Sequence, residues 1–124
     1  MSDNQAVVRD FIAACNANDL ERVMSFFTDD CVYHNIPMAP VTGPDAIRGV
    51  LAGFMGMASE IDWVTHNIAE SEGGVVLTER TDRFLIGEKW LELPVMGTFE
   101  LRDGRICGWR DYFDMAQFQS QLPG

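Results

Sequence analysis

The sequence predicts an α+β fold in which N-terminal helices pack on a strongly curved, mostly antiparallel mixed sheet, forming a cone with a deep pocket. Two observations carry this. Apolar residues recur at helical spacing three times before residue 60, and four strand-like segments then follow one another with glycine-containing joints between them. Helices first and a long meander after is the order of helices covering one face of a sheet, not of helices alternating with strands.

Val7, Val8, Phe11, Ile12 and Cys15 form the apolar stripe of a first helix from Asp3 to Asn16, with Ser2 or Asp3 placed to cap it. Leu20, Val23, Met24 and Phe27 predict a second short helix from Asp19 to Phe27, capped by Asn18 or Asp19 and ended by Thr28-Asp29-Asp30. From Cys31 to Ile36 the period changes to two, so Cys31, Tyr33 and Asn35 share one face and Val32, His34 and Ile36 the other. Pro37 and Pro40 break that strand. Gly43-Pro44 opens a third helix lined by Ile47, Val50, Leu51 and Phe54, proline suiting a first helical turn. The charge-free stretch from Gly53 to Ala58 fits helix or loop.

Strands are expected at Ile61 to Glu70, Val75 to Ile86, Lys89 to Leu101 and Arg105 to about Phe113, with Gly73-Gly74, Gly87 and Asp103-Gly104 at the joints. Asp103-Gly104 suits a tight hairpin because both residues tolerate positive φ. Pro94 inside a strand indicates a bulge or an edge, either of which bends a sheet. The end after Asp114 reads as a short helix closed by Pro123-Gly124, and there are no repeats, low-complexity tracts or linkers.

The 124 residues predict a single domain, 1–124, with room for one core. A formal net charge of -10 repels phosphate backbones and anionic lipid, so neither nucleic acid nor a membrane is an expected partner. A neutral or cationic small molecule is easier to accommodate. Cys15, Cys31 and Cys107 are odd in number and widely spaced, and read as reduced core thiols. With neither a signal-peptide pattern nor an apolar run long enough to span a bilayer, a cytoplasmic location is expected.

Alternation puts Arg80 and Asp82 on one strand face with Val76, Thr78, Phe84 and Ile86, and alone this pair reads as a surface salt bridge. Asp111 falls between Trp109 and Phe113 on its own face, where a carboxylate needs a partner. If Asp111, Arg80 and Asp82 face one pocket, a single guanidinium can hold both carboxylates, and the excess negative charge can be exchanged for a proton. One acid is then protonated while the other is ionised. Tyr33 and Asn35 can complete a water site: Asp111 and the Asn35 carbonyl accept the water's protons, the Tyr33 hydroxyl donates to one lone pair, and the other is left to attack. Singly, each also fits a turn-proximal Asn and a core Tyr.

Tyr33-x-Asn35, Arg80-x-Asp82 and Gly108-Trp109-Arg110-Asp111-Tyr112-Phe113-Asp114 together resemble the limonene epoxide hydrolase family, over most of the chain. The resemblance implies the cone-shaped fold of nuclear transport factor 2, shared with ketosteroid isomerases and polyketide cyclases. It also implies cofactor-free addition of water to an epoxide in one step. By motif, Asp111 would be the base, Asp82 the acid, Arg80 the bridge between them, and Tyr33 and Asn35 the residues holding water. An epoxide opens readily only when its oxygen is protonated as the nucleophile arrives from the opposite side, so acid and base must flank it.

Met38, Leu51, Phe54, Met55, Leu93, Val95, Phe99 and Phe113 are the candidate pocket walls, each also fitting plain core. The expected substrate is a small apolar epoxide, cyclic or terpene-like, giving a vicinal diol, and the expected assembly is a homodimer. The chain begins almost at its first helix, where limonene epoxide hydrolases carry a longer N-terminal segment. His34 and His66 make no convincing zinc set, so no metal is expected. Alternatives are a ketosteroid isomerase-like or polyketide cyclase-like proton-transfer enzyme, and a non-catalytic binding module of the same fold with the cluster as a buried ion network.

Overall fold

In a computed structural model that describes residues 3–123, four helices lie against one six-stranded sheet. Helix α1 (Asp3–Asn16) buries Val8, Phe11, Ile12, Ala14 and Cys15, the face its apolar period predicts. Asp3 opens it, while Ser2, the other expected cap, lies outside the described residues, as does Gly124 at the far end. Helix α2 is shorter than expected, Leu20–Met24, with the Asp19 carboxylate accepting from the Arg22 amide.

The next strand takes the missing residues. β1 runs Phe27–Asn35, so Thr28-Asp29-Asp30 lie within a strand and do not end a helix. Tertiary contacts override the helical spacing there: Phe27 pairs with Ile106 and stacks on Trp109, and Thr28 is buried. A two-residue strand, β2 (Val41–Thr42), follows the prolines and pairs antiparallel with β1. Helix α3 (Pro44–Gly56) resolves the charge-free stretch from Gly53 as helix to Gly56, and Gly43 before it holds φ +90°, which suits glycine.

Strands β3 (Glu60–Glu70), β4 (Val76–Ile86), β5 (Lys89–Arg102) and β6 (Arg105–Tyr112) form the expected meander, and the sheet order is β2-β1-β6-β5-β4-β3. β6 also pairs parallel with β1, which makes the sheet mixed. Asp103 and Gly104 both take positive φ in the β5–β6 turn. Pro94 sits in unbroken register opposite Thr81, but beyond the last β6 partner at Met96, so it occupies a local edge and not a bulge. There the free backbone of Glu92 is bonded on both its groups by Gln121, just past helix α4 (Met115–Ser120). Register shifts at Phe27/Val32, Thr65/Asn67 and Glu100/Leu101 bend the ladders.

Trp109 is the centre of the core. It is sealed from solvent, stacked on Tyr33 at 4.1 Å and on Phe99 at 5.6 Å, and met edge-on by Phe11 of α1. No helix among the described residues is long and apolar enough to cross a membrane.

Candidate active site

Register, not sequence proximity, assembles the site. Parallel pairing of β1 with β6 sets Tyr33 beside Trp109 and Asn35 beside Asp111, matching two x-spaced pairs residue for residue. Antiparallel pairing then continues the Asp111 row to Gly97 on β5 and Thr78 on β4. Arg80 is two residues along β4 from Thr78, so its side chain must cross β5 to reach Asp111. Gly97 leaves the room. A Cβ there would lie 2.6 Å from Asp111 Oδ1 and 3.0 Å from Thr78 Oγ1, and closer still to Arg80 Nη1.

Arg80 Nε and Nη2 donate to the two oxygens of Asp82, each at 2.9 Å, and Nη2 also donates to Asp111 Oδ2 at 2.9 Å. Nη1 donates to Thr78 Oγ1 at 3.0 Å, and the Thr78 hydroxyl donates to the Gly97 carbonyl. The other oxygen of Asp111 accepts from Trp109 Nε1 at 2.8 Å. Arg80 is 1 % exposed and both carboxylates 4 %, so the surface salt bridge that the local sequence suggests is in fact a buried cluster.

Burial decides the electrostatics. Removal from water pushes the Asp82 carboxyl from its usual 3.8 up to about 6; the adjacent Arg80 charge and hydrogen bonds oppose this, and Asp111 adds to it. Burial works against the Arg80 charge too, but Asp111 and Asp82 outweigh it and hold the guanidinium protonated beyond its ordinary range. The Tyr33 hydroxyl is raised well above its usual value, chiefly by burial and then by Asp111, and stays a donor. That hydroxyl donates to Asn35 Oδ1 at 3.2 Å, whereas the sequence reading has it donating to water. With one lone pair of Asn35 Oδ1 taken, the amide is fixed and the second lone pair stays open.

Tyr33, Asn35, Asp82 and Asp111 line one cavity of about 30 Å³, enough to admit water. Of the expected walls, Leu51, Phe54, Met55, Leu93, Val95 and Phe113 line it. Met38 does not, because it lies in the turn after β1 and is 39 % exposed. Nor does Phe99, which is packed beneath Trp109 and Arg80. Arg80 stands behind the wall. Sequence reasoning missed Cys15, Trp63, Phe84 and Phe118 as lining residues, and Thr78, Gly97 and Trp109 as supports. Only Gly97 offers a local signal, a glycine inside an apolar strand. Among the described residues no group of three or more His, Cys, Asp or Glu side chains is placed to hold a metal ion.

The family model for the limonene-1,2-epoxide hydrolase catalytic domain matches residues 2–123. Epoxide hydrolase EphG of Mycobacterium tuberculosis is 36% identical over 118 residues, covering 94% of this chain and 78% of that protein. The structure of an M. tuberculosis epoxide hydrolase described as LEH-like superposes with a TM-score of 0.81 at 32% identity, over 95% of this chain and 87% of that one. A candidate SnoaL-like polyketide cyclase from Shewanella putrefaciens superposes at 0.84 with 17% identity, over 98% and 97%, a likeness of fold alone.

Proposed function

Because the chain belongs to the limonene-1,2-epoxide hydrolase family and is an epoxide hydrolase of that type, we propose that it adds water to a small apolar epoxide in one general acid/base step. The product is a vicinal diol, and no cofactor takes part. Asp111 is the base, Asp82 the acid and Arg80 the bridge, with Asn35 holding the water and Tyr33 fixing Asn35. The carrying observation is Arg80 bonded at 2.9 Å to carboxylates from two strands that are not neighbours, both in the wall of one cavity.

Water bound between Asp111 and the open lone pair of Asn35 Oδ1 attacks a ring carbon, and Asp111 takes its proton. The C–O bond to that carbon breaks as Asp82 gives its proton to the departing oxygen. The net change moves one proton from Asp82 to Asp111, and it returns through bound water or a diol hydroxyl. Arg80 stays charged throughout and stabilises whichever carboxylate is ionised. Phe54, Phe113 and Phe118 meet edge-on where α4 covers the site and supply an apolar wall for the substrate.

Family membership disfavours the isomerase-like, cyclase-like and non-catalytic readings. Three free thiols support a reducing, cytoplasmic location as part of the same proposal. A homodimer is proposed through the outer sheet face, where Val32, Leu77, Met96 and Tyr112 are exposed. The test is a single turnover of cyclohexene oxide or limonene oxide in heavy-oxygen water. Labelled diol is expected in the first turnover; unlabelled diol rules out direct attack by water, and no diol from a broad epoxide panel removes the reading.

A further inference from the structure

Trp63 stands on β3 directly opposite Asp82 on β4, and it lines the cavity. Its ring faces the Arg80 guanidinium, 4.9 Å from centroid to Cζ, and leans on Phe84 and Trp109. The backbone of Trp63 is engaged on both sides by Asn16 at the end of α1: its N–H donates to Asn16 Oδ1 at 2.7 Å and its carbonyl accepts from Asn16 Nδ2 at 3.4 Å. The indole N–H is not engaged. It is shut off from solvent and has no acceptor among the described residues. The indole N–H of Trp109, by contrast, is bonded to Asp111.

An orphaned buried donor is costly, and buried indoles usually find an acceptor. A donor without a partner, on a residue of the cavity wall paired with the proposed acid, points to an acceptor that arrives with the ligand. The neighbouring wall residues Phe84, Leu93 and Val95 supply none from their side chains.

We propose that the Trp63 indole N–H is a second hydrogen-bond donor to the epoxide oxygen, acting beside Asp82. This rests on the reading of Asp82 as the acid. An ether oxygen has two lone pairs, of which Asp82 needs one. As the ring opens, charge gathers on that oxygen, and a fixed donor in a water-excluded wall stabilises it more than it stabilises the bound epoxide. The indole is neutral, so it assists without disturbing the division of one proton between Asp82 and Asp111. It also fixes which way the epoxide lies, with oxygen toward β3 and β4 and the attacked carbon toward Asp111.

The direct test uses a rigid ether that cannot react, 7-oxabicyclo[2.2.1]heptane, and its carbon counterpart norbornane. Both are added to nitrogen-15-labelled protein while the three indole signals are followed, Trp63 being identified by its loss in Trp63→Phe. The ether is expected to move the Trp63 indole proton downfield and norbornane to leave it in place. In Trp63→Phe, which keeps a ring beneath Arg80, kcat/KM for cyclohexene oxide should fall about 10- to 100-fold, with the pH profile unchanged. Equal responses to the two probes, no ether-dependent shift at the solubility limit, or wild-type kcat/KM in Trp63→Phe overturns the proposal. If Trp63→Phe does not fold, wild-type spectra still decide, with the signal assigned through its own backbone. Turnover retained in Asp82→Asn would instead refute the acid, and the indole signal remains readable in that variant.

Discussion

Arg80 and Arg83 lie three residues apart on β4, on opposite faces of the sheet, and are built alike. Arg80 holds Asp82 and Asp111 with its guanidinium beside Trp63; Arg83 holds Asp62 and Glu92 with its guanidinium over Trp90 at 4.2 Å. What separates them is water. The Arg80 side chain is fully buried, whereas that of Arg83 is 27 % exposed and its carboxylates about half exposed. Outside, solvent screens the pairs and the cluster is an ordinary surface feature. Inside, two carboxylates on one cation cannot both ionise cheaply, and burial lifts the Asp82 carboxyl from the usual 3.8 to about 6. On the proposed mechanism, similar parts act as an acid/base device only on the enclosed face.

The largest expected effect breaks this contrast by removing a carboxylate. Asp111→Asn and Asp82→Asn should each lower kcat by about 10³-fold or more with the fold retained by circular dichroism, while Arg83→Gln stays within about two-fold of wild type. Comparable losses from Arg83→Gln would show that burial is not the deciding variable. Next comes the backbone that lets Arg80 cross β5. Gly97→Ala forces its new methyl against Arg80 and Asp111 and should lower kcat/KM about 100-fold, with a fall in melting temperature. Gly108→Ala on β6 meets only the Glu100 side chain, at 3.2 Å, and should stay near wild type in activity.

A smaller, graded effect follows from pH. With Asp82 as the proposed acid and its carboxyl raised by burial to about 6, kcat/KM is expected to hold below that value and to fall about tenfold per unit above it. Steady-state kinetics from pH 5 to about 8 read this limb directly, and a profile flat through that range would remove Asp82 as the acid. Smallest is Thr78→Val, which takes one hydrogen bond from Arg80 while leaving both carboxylate contacts, for a loss of several-fold in kcat.

Much of this contrast was legible in the chain because it rests on a period of two. Alternation places Arg80 with Asp82, Tyr33 with Asn35, and Trp109 with Asp111, and the structure keeps all three pairs on the enclosed face. Alternation says nothing of which face is enclosed, nor of register, and these are what the sequence hides. The parallel pairing that sets Asn35 beside Asp111 depends on a shift between Phe27 and Val32, inside a stretch whose spacing imitates a helix end. Trp63 and Phe118 reach the cavity by tertiary packing, which no local pattern reports, and Met38 and Phe99 look like walls by composition but lie outside the lining.

On the proposed mechanism Arg80 lets two buried carboxylates divide one proton. Carbon-13 spectra of protein labelled at the aspartate carboxyls, with Asp82 assigned by its loss in Asp82→Asn, measure this without substrate. An Asp82 signal that titrates near pH 6 is expected. An Asp82 signal that is already ionised at pH 4 would contradict it.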